Sequence, residues 1–426
     1  MSPPAGRPTA AWPVSEPPQA GLAALSEPLA NSEAVGFVHV ARGDDPDRRY
    51  LTRTPAPHQA AAVVCIPTGG GDLHAIYCVS TADRAPAVDG FVAPEPDDAA
   101  ATECNRTIAT REPQTPPGSH VVSVLADHLD TPGVGTLRVP SHLPHDTAVR
   151  LQQAGYELSS TAALTDARAS KTPAERDCLQ AVQRGAAHGL RRAHELLASS
   201  TTTADVLHLD GEPLSAQQIE REVAAALAGG GVTPETVRVR AADTDPTESL
   251  PASDGIVVHI VPQGPHGYHG RLTRTVVVDS DGGWDRRAFI AAKAAQTAAR
   301  HHCEPGGNVE TVAAEATAEL TAYGFPPCSR SDDAGDDDTT DDAGGWATVH
   351  GVGLTPAEAP SPADDGTLQV GSVLAVETGV VDPEYGKIRL GSLIDVTADG
   401  GERLIDAPIS LAPATEDEQS DGSCRR

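Results

Sequence analysis

Residues 254–275 read DGIVVHIVPQGPHGYHGRLTRT. Ile256 to Ile260 is a β-branched run holding one histidine, His259, and a Gly/Pro-rich segment separates it from a second run that begins near Leu272 and continues through Thr273-Arg274-Thr275 to Val278. Such runs divided by turn residues predict two strands. Helix signals flank them. Thr172-Pro173-Ala174-Glu175 combines an N-cap, a proline at the first helical position and the closing acid of a capping box. Leu179, Val182, Ala186, Leu190, Ala193 and Leu197 follow at three- and four-residue spacing, which is one buried stripe. Ser215 with Gln218 opens a second helix that stops at Gly229. Downstream, Trp284 to His302 reads as a helix, and Asn308 caps another that runs to Gly324. Two helix pairs associated with strands predict an α+β fold, with helices covering one face of a curved, mostly antiparallel sheet.

Working outward, residues 1–33 are rich in Pro, Ala and Ser and read as a disordered arm. Over 34–168, short apolar runs (Ala61–Ile66, Ala75–Val79, Val121–Leu125, Thr136–Val139) alternate with turns and one short helix in Pro144–Gly155. That pattern predicts a small N-terminal α/β domain. Gly69-Gly70-Gly71 lacks a following Lys-Ser/Thr and reads as a turn, not a phosphate loop. Residues 169–412 form the second domain, interrupted by an acidic loop at 331–345 that contains DDAGDDDTTDD, and 413–426 read as a disordered tail.

The chain has 426 residues, 31 basic against 60 acidic, and a net charge of −29. Only Lys171, Lys293 and Lys387 are lysines, and aromatics make up 3%. This is the composition of a halophilic acidic surface, and it disfavours nucleic-acid binding, which needs clustered cations. Seven cysteines stand singly with no CxxC pair, which fits a reducing compartment. The N-terminal residues lack a basic then apolar leader, and no apolar run approaches the roughly 20 residues of a membrane span. A cytoplasmic protein with neither nucleic-acid nor membrane partners is expected.

With VHGVGL at 349–354, SVLAVETGVV at 372–381 and GKIRLGSLIDVTADG at 386–400, the strand pair resembles the creatinase/aminopeptidase (M24) family, the pita-bread metallopeptidases. An N-terminal domain, with RYLTRTPAP at 49–57 similar to its opening, implies the Xaa-Pro aminopeptidase/prolidase branch. The resemblance implies two divalent ions held by five side chains, with carboxylates bridging the ions and offsetting their repulsion. The matching positions hold His259, Arg271, His350, Glu377 and Gly391, so both bridging carboxylates are replaced. Ala357 stands where an assisting histidine is expected, followed by Glu358, and DTDPTES at 243–249 has no histidine.

The resemblance therefore implies no cofactor, or at most one zinc or manganese ion on His259, His350 and Glu377, a donor set that suits zinc. Arg271 is expected to pair with Glu377 in place of the ions, in a pocket with Arg274, Ala357 and Glu358. His259 and Glu377 are the candidate acid/base residues. The function implied is a catalytically degenerate member that binds a peptide or protein. The alternatives are an active Xaa-Pro aminopeptidase or dipeptidase with a rearranged metal site, and a metal-free creatinase-like amide hydrolase. A homodimer is also implied by the resemblance.

Overall fold

The structure, a computed structural model, describes residues 18–69, 72–92, 104–241, 245–328, 343–363 and 366–413. Gly70, Gly71, residues 331–342 of the expected acidic loop and the tail from 414 onward lie outside the described residues. The chain divides between Arg168 and Ala169 into two compact units.

In the unit Glu16–Arg168, β1 (Ala34–Ala41), β2 (Ala61–Gly69), β3 (Asp72–Ser80), β4 (Cys104–Arg111), β5 (Thr136–Val139) and β6 (Glu157–Ser160) form a mixed sheet ordered β4-β3-β2-β1-β5-β6. Its helices are α1 (Ala23–Ala30), α2 (Pro46–Thr52), α3 (Arg84–Ala87), α4 (Pro117–His128), α5 (His145–Gln153) and α6 (Ala163–Ala169). This is the α/β character expected. Two expectations are corrected. Val121–Leu125 is not a strand but lies in α4, where Val121, Val124 and Leu125 share the helix face turned into the core. A short apolar run does not by itself separate the two periods. Residues 18–33 are not a featureless arm: they carry α1, which buries Leu22, Leu25 and Leu29 at helical spacing.

In the unit that begins at Ala169, α7 (Pro173–Ala198) and α8 (Ala216–Gly229) both start on complete capping boxes, Thr172 with Glu175 and Ser215 with Gln218. A small sheet of β7 (Thr201–Thr203), β8 (Val206–Leu209) and β9 (Glu212–Pro213) lies between them in sequence. The main sheet comprises β10 (Thr233–Ala241), β11 (Ile256–Gln263), β12 (Leu272–Val276), β13 (Gly344–Gly351), β14 (Val373–Asp382) and β15 (Gly386–Thr397), ordered β10-β11-β12-β15-β14-β13, with β16 (Gly400–Arg403) on β15. Every pairing in it is antiparallel.

Helices α7 and α8 pack on Ile256, Val258, Ile260, Leu272 and Val276. The helices α9 (Trp284–His302) and α10 (Val309–Ala322) pack on Val376, Val380, Ile388 and Leu390. Side chains alternate along a strand, so the residues between these project from the opposite face. The sequence leaves the chemistry-bearing residues on that face. Among the described residues, no helix is long and apolar enough to cross a membrane.

Candidate functional site

One row of cross-strand partners runs over the whole main sheet: Arg238, His259, Thr273, Gly391, Glu377 and Thr348, each paired with the next. Directly paired residues project to the same face, so this row spans the face away from the helices. His350 pairs with Ala375, two residues along β14 from Glu377, and joins the same face. Three of the five sequence-matched positions thus lie in the row, and His350 and Arg271 lie beside it.

At the row's centre, Glu377 is 2% exposed and each of its oxygens meets an arginine. Arg271 Nη2 donates to Oε2 at 3.0 Å; Arg389 donates to Oε1 from Nη2 at 2.6 Å and from Nε at 3.1 Å. The expected Arg271–Glu377 contact is present, and Arg389 joins it. Sequence reasoning missed Arg389, although the signal was available: it stands two residues before Gly391, and residues i and i+2 of a strand share a face. The Arg389 guanidinium also lies over the Trp346 ring at 5.5 Å, and Trp346 packs against Gly379 where a side chain would collide.

The backbone around this carboxylate is pinned from the helices. Gln183 of α7 accepts from Arg271 N at 2.9 Å and donates to Arg271 O at 2.8 Å, which aims the arginine toward Glu377. Gln296 of α9 donates to the carbonyls of Val376 and Leu390 at 2.8 and 2.9 Å, holding β14 and β15 together beside the clamp. Neither glutamine carries a sequence signal, because each acts through contacts about 90 residues away.

Between β12 and β15 the register pairs Thr273 with Gly391. A Cβ at Gly391 would stand 2.8 Å from Thr273 Oγ1 and 3.0 Å from its Cβ. The seam therefore closes because residue 391 has no side chain. We expect Gly391→Ala to lose about 1–3 kcal/mol by overpacking, read from urea unfolding; an unchanged midpoint would mean that Thr273 gives way.

Side chains complete the seam. Thr275 Oγ1 donates to Arg389 O at 3.0 Å and accepts from Arg389 N at 2.7 Å. Arg274 is not a pocket residue. It alternates with Thr273 and Thr275, points to the helix face, and donates to Gly391 O, Thr273 O and Pro408 O at 2.6, 2.8 and 2.9 Å. Burial, with the Arg403 charge behind it, pushes its pKa down to about 9.

His259 is buried, its Nδ1 2.8 Å from Thr273 Oγ1. His350 Nδ1 lies 3.0 Å from Gly351 O. His259, His350 and Glu377 do not gather as a ligand set: among the described residues, the group whose metal-ligating atoms all lie within 4.8 Å of one another is His39, Asp45 and His142, in the other unit. The pocket reading of Ala357 and Glu358 is corrected as well. Glu358 is ion-paired with Lys171 at 2.9 Å, both nearly buried, and Ala357 is exposed on the turn before it.

A narrow cleft beside the row is instead lined by Arg238, Arg240, Val257, His259, Lys387 and Arg389, with only about 10 Å³ that a water-sized sphere can enter. One of the chain's three lysines and three arginines meet there. Glu220 pairs with Arg240 at 2.8 Å and Glu377 with Arg389.

The chain is 28% identical to an Xaa-Pro dipeptidase of Pyrococcus furiosus over 139 residues, 32% of this chain and 36% of that protein. It is 26% identical to the uncharacterized peptidase YqhT of Bacillus subtilis over 147 residues, 34% and 37% of the two chains. The alignments thus span about a third of the length of these relatives. In structure it is similar to the prolidase of Pyrococcus horikoshii, with TM-score 0.69 and 17% identity over 91% of this chain and 98% of the other. An Xaa-Pro dipeptidase of Bacillus anthracis gives TM-score 0.71 at 16% identity over the same shares. The profile of metallopeptidase family M24 matches residues 177–398, which hold the whole row and its clamp. The chain belongs to metallopeptidase family M24 and has the pita-bread fold of its Xaa-Pro peptidase-like members, preceded by an α/β domain.

Proposed function

We propose that this protein binds a peptide or protein segment on the Glu377 face of its sheet and does not hydrolyse it with a pair of metal ions. The observation that supports this most is the double clamp on Glu377. The five family positions offer one carboxylate, and both its oxygens accept from arginines at 3.0 Å and 2.6 Å. Two divalent ions do not fit that arrangement: they would have to displace two guanidinium groups from the one anionic ligand, beside a Gly391 that has no space for a side chain.

The cationic cleft supports the ligand chemistry. Arg238 and Lys387 stand at its mouth beside Arg240 and Arg389, which already hold Glu220 and Glu377, so a carboxylate from a peptide C-terminus or an acidic side chain would be met at the rim by a net cationic surface and not inside a preformed cavity. The expected result of calorimetric titration is that glycyl-proline binds roughly tenfold tighter than glycylprolinamide, about 1.4 kcal/mol. Lys387→Ala should narrow that gap, as should added KCl. Neither compound should release its proline or prolinamide, with or without manganese or zinc. Release that appears with manganese and stops with a chelator would restore the peptidase reading. Release indifferent to a chelator would make the protein a metal-free hydrolase, and equal binding of acid and amide would remove the carboxylate-binding role.

A further inference from the structure

A second cluster lies in the unit Glu16–Arg168, and no part of the proposed function uses it. His39 projects from β1, held opposite Val63 of β2. Asp45 caps α2, accepting from Arg48 N at 2.8 Å. His142 stands in the turn between β5 and α5. Three separate pieces of chain bring their ligating atoms within 4.8 Å of one another. We propose that His39, Asp45 and His142 form a divalent-metal site, with zinc the ion of best fit.

The donor set is two imidazoles and a carboxylate, which zinc takes in sites that keep a fourth position for water. The geometry is close to what an ion needs. Two ligands at about 2.0–2.1 Å from a tetrahedral ion stand a little over 3 Å apart. His39 Nε2 and Asp45 Oδ1, at 2.7 Å, need to part by only several tenths of an ångström. Burial is graded in the useful direction. The His39 side chain is 1% exposed, that of Asp45 15% and that of His142 54%, so the site has a fixed floor and an open mouth.

Support for the ligands is also present. Asp47 Oδ2 lies 3.6 Å from His142 Nε2, and its other oxygen accepts from Arg168 at 2.6 Å, which places a fixed carboxylate beside the exposed ligand. Carboxylates in this position orient metal-bound histidines.

The inference is independent of the binding reading, because the two sites lie in different units. It bears on how that reading is tested, since one ion per chain held here would be mistaken for a metal in the peptidase-like unit. The experiment uses the untagged full chain, stripped with chelator, then titrated with zinc against a chromophoric competitor and checked for metal content. The expected result is one zinc per chain, weakened at least roughly tenfold by His142→Ala and by Asp45→Asn, and unchanged by His350→Ala. His142 is exposed enough for its variant to fold. Cobalt loaded in place of zinc should give a tetrahedral visible spectrum that His142→Ala abolishes. No zinc uptake by the wild type overturns the proposal. So does uptake that survives His142→Ala, or that His350→Ala removes; the last outcome would return the metal to the Glu377 face and overturn the binding reading with it.

Discussion

Glu377→Ala is expected to cost about 3–5 kcal/mol of stability, the largest loss of any single change on the sheet face. The alanine would leave Arg389, 3% exposed, and Arg271 facing each other with no anion between them. A buried charge stripped of its partner costs more than the pair contributes when intact, because desolvation is no longer offset. The arginines are not equivalent. Arg271 is 16% exposed at its side chain and makes one bond to the carboxylate, and Arg389 would still hold Glu377 without it. Arg271→Ala should therefore cost about 1 kcal/mol. Arg389→Ala, which removes two bonds and the contact with Trp346, should fall between the two.

Urea unfolding of chelator-treated protein checks this order, followed by tryptophan fluorescence, since Trp284 and Trp346 both lie in this unit. A loss under 1 kcal/mol for Glu377→Ala would sink the clamp as a stabilising feature. If adding manganese raised wild-type stability and did so only with Glu377 present, that carboxylate would be serving metal.

The second large effect is pH-dependent and centres on His194, on α7. It is 2% exposed, and burial, with the Arg274 charge adding to it, pushes its pKa down to about 4. The ordinary value is about 6.5. Between those values the unfolded chain binds a proton that the folded chain refuses, so stability falls as pH falls. Above about 6.5 both forms are neutral and the contribution is full; below about 4 both are protonated and it is gone. The shift corresponds to about 3 kcal/mol over the whole window and about 2 kcal/mol by pH 5.

Protonation of carboxylates on a chain of charge −29 overlaps the acid end of this range and acts in the other direction by relieving repulsion, so the comparison must be with a variant. His194→Leu keeps the volume and removes the titration. The wild type should lose about 2 kcal/mol more than the variant between pH 7.5 and pH 5. Parallel losses in the two proteins would mean that His194 is reached by water and titrates normally.

Much of the fold was legible because its signals are local. Thr172 with Glu175, and Ser215 with Gln218, mark helix starts by contacts within four residues, and the structure forms both boxes. The strand pair around His259 and Thr273 followed from β-branched runs and a turn. The failures have equally local causes. Val121–Leu125 is too short a run for periodicity to arbitrate, and Leu22, Leu25 and Leu29 were hidden in a Pro- and Ala-rich stretch.

The sequence by itself pointed to the family and the α+β architecture, and it gives the residue identities at the positions matched to the family's motifs, since identities need no geometry to read. Tertiary structure alone decided what those residues touch. Alternation along a strand says which residues share a face, but not which strands are neighbours or in what register. Arg389 reaches Glu377 because β15 pairs beside β14 with Gly391 opposite that carboxylate. Arg274 was misplaced because its motif spacing is silent about which face of β12 the helices cover. His39, Asp45 and His142 span more than a hundred residues of chain, and only the closing of a sheet around them, with a helix cap and a turn at its edge, brings their ligand atoms together.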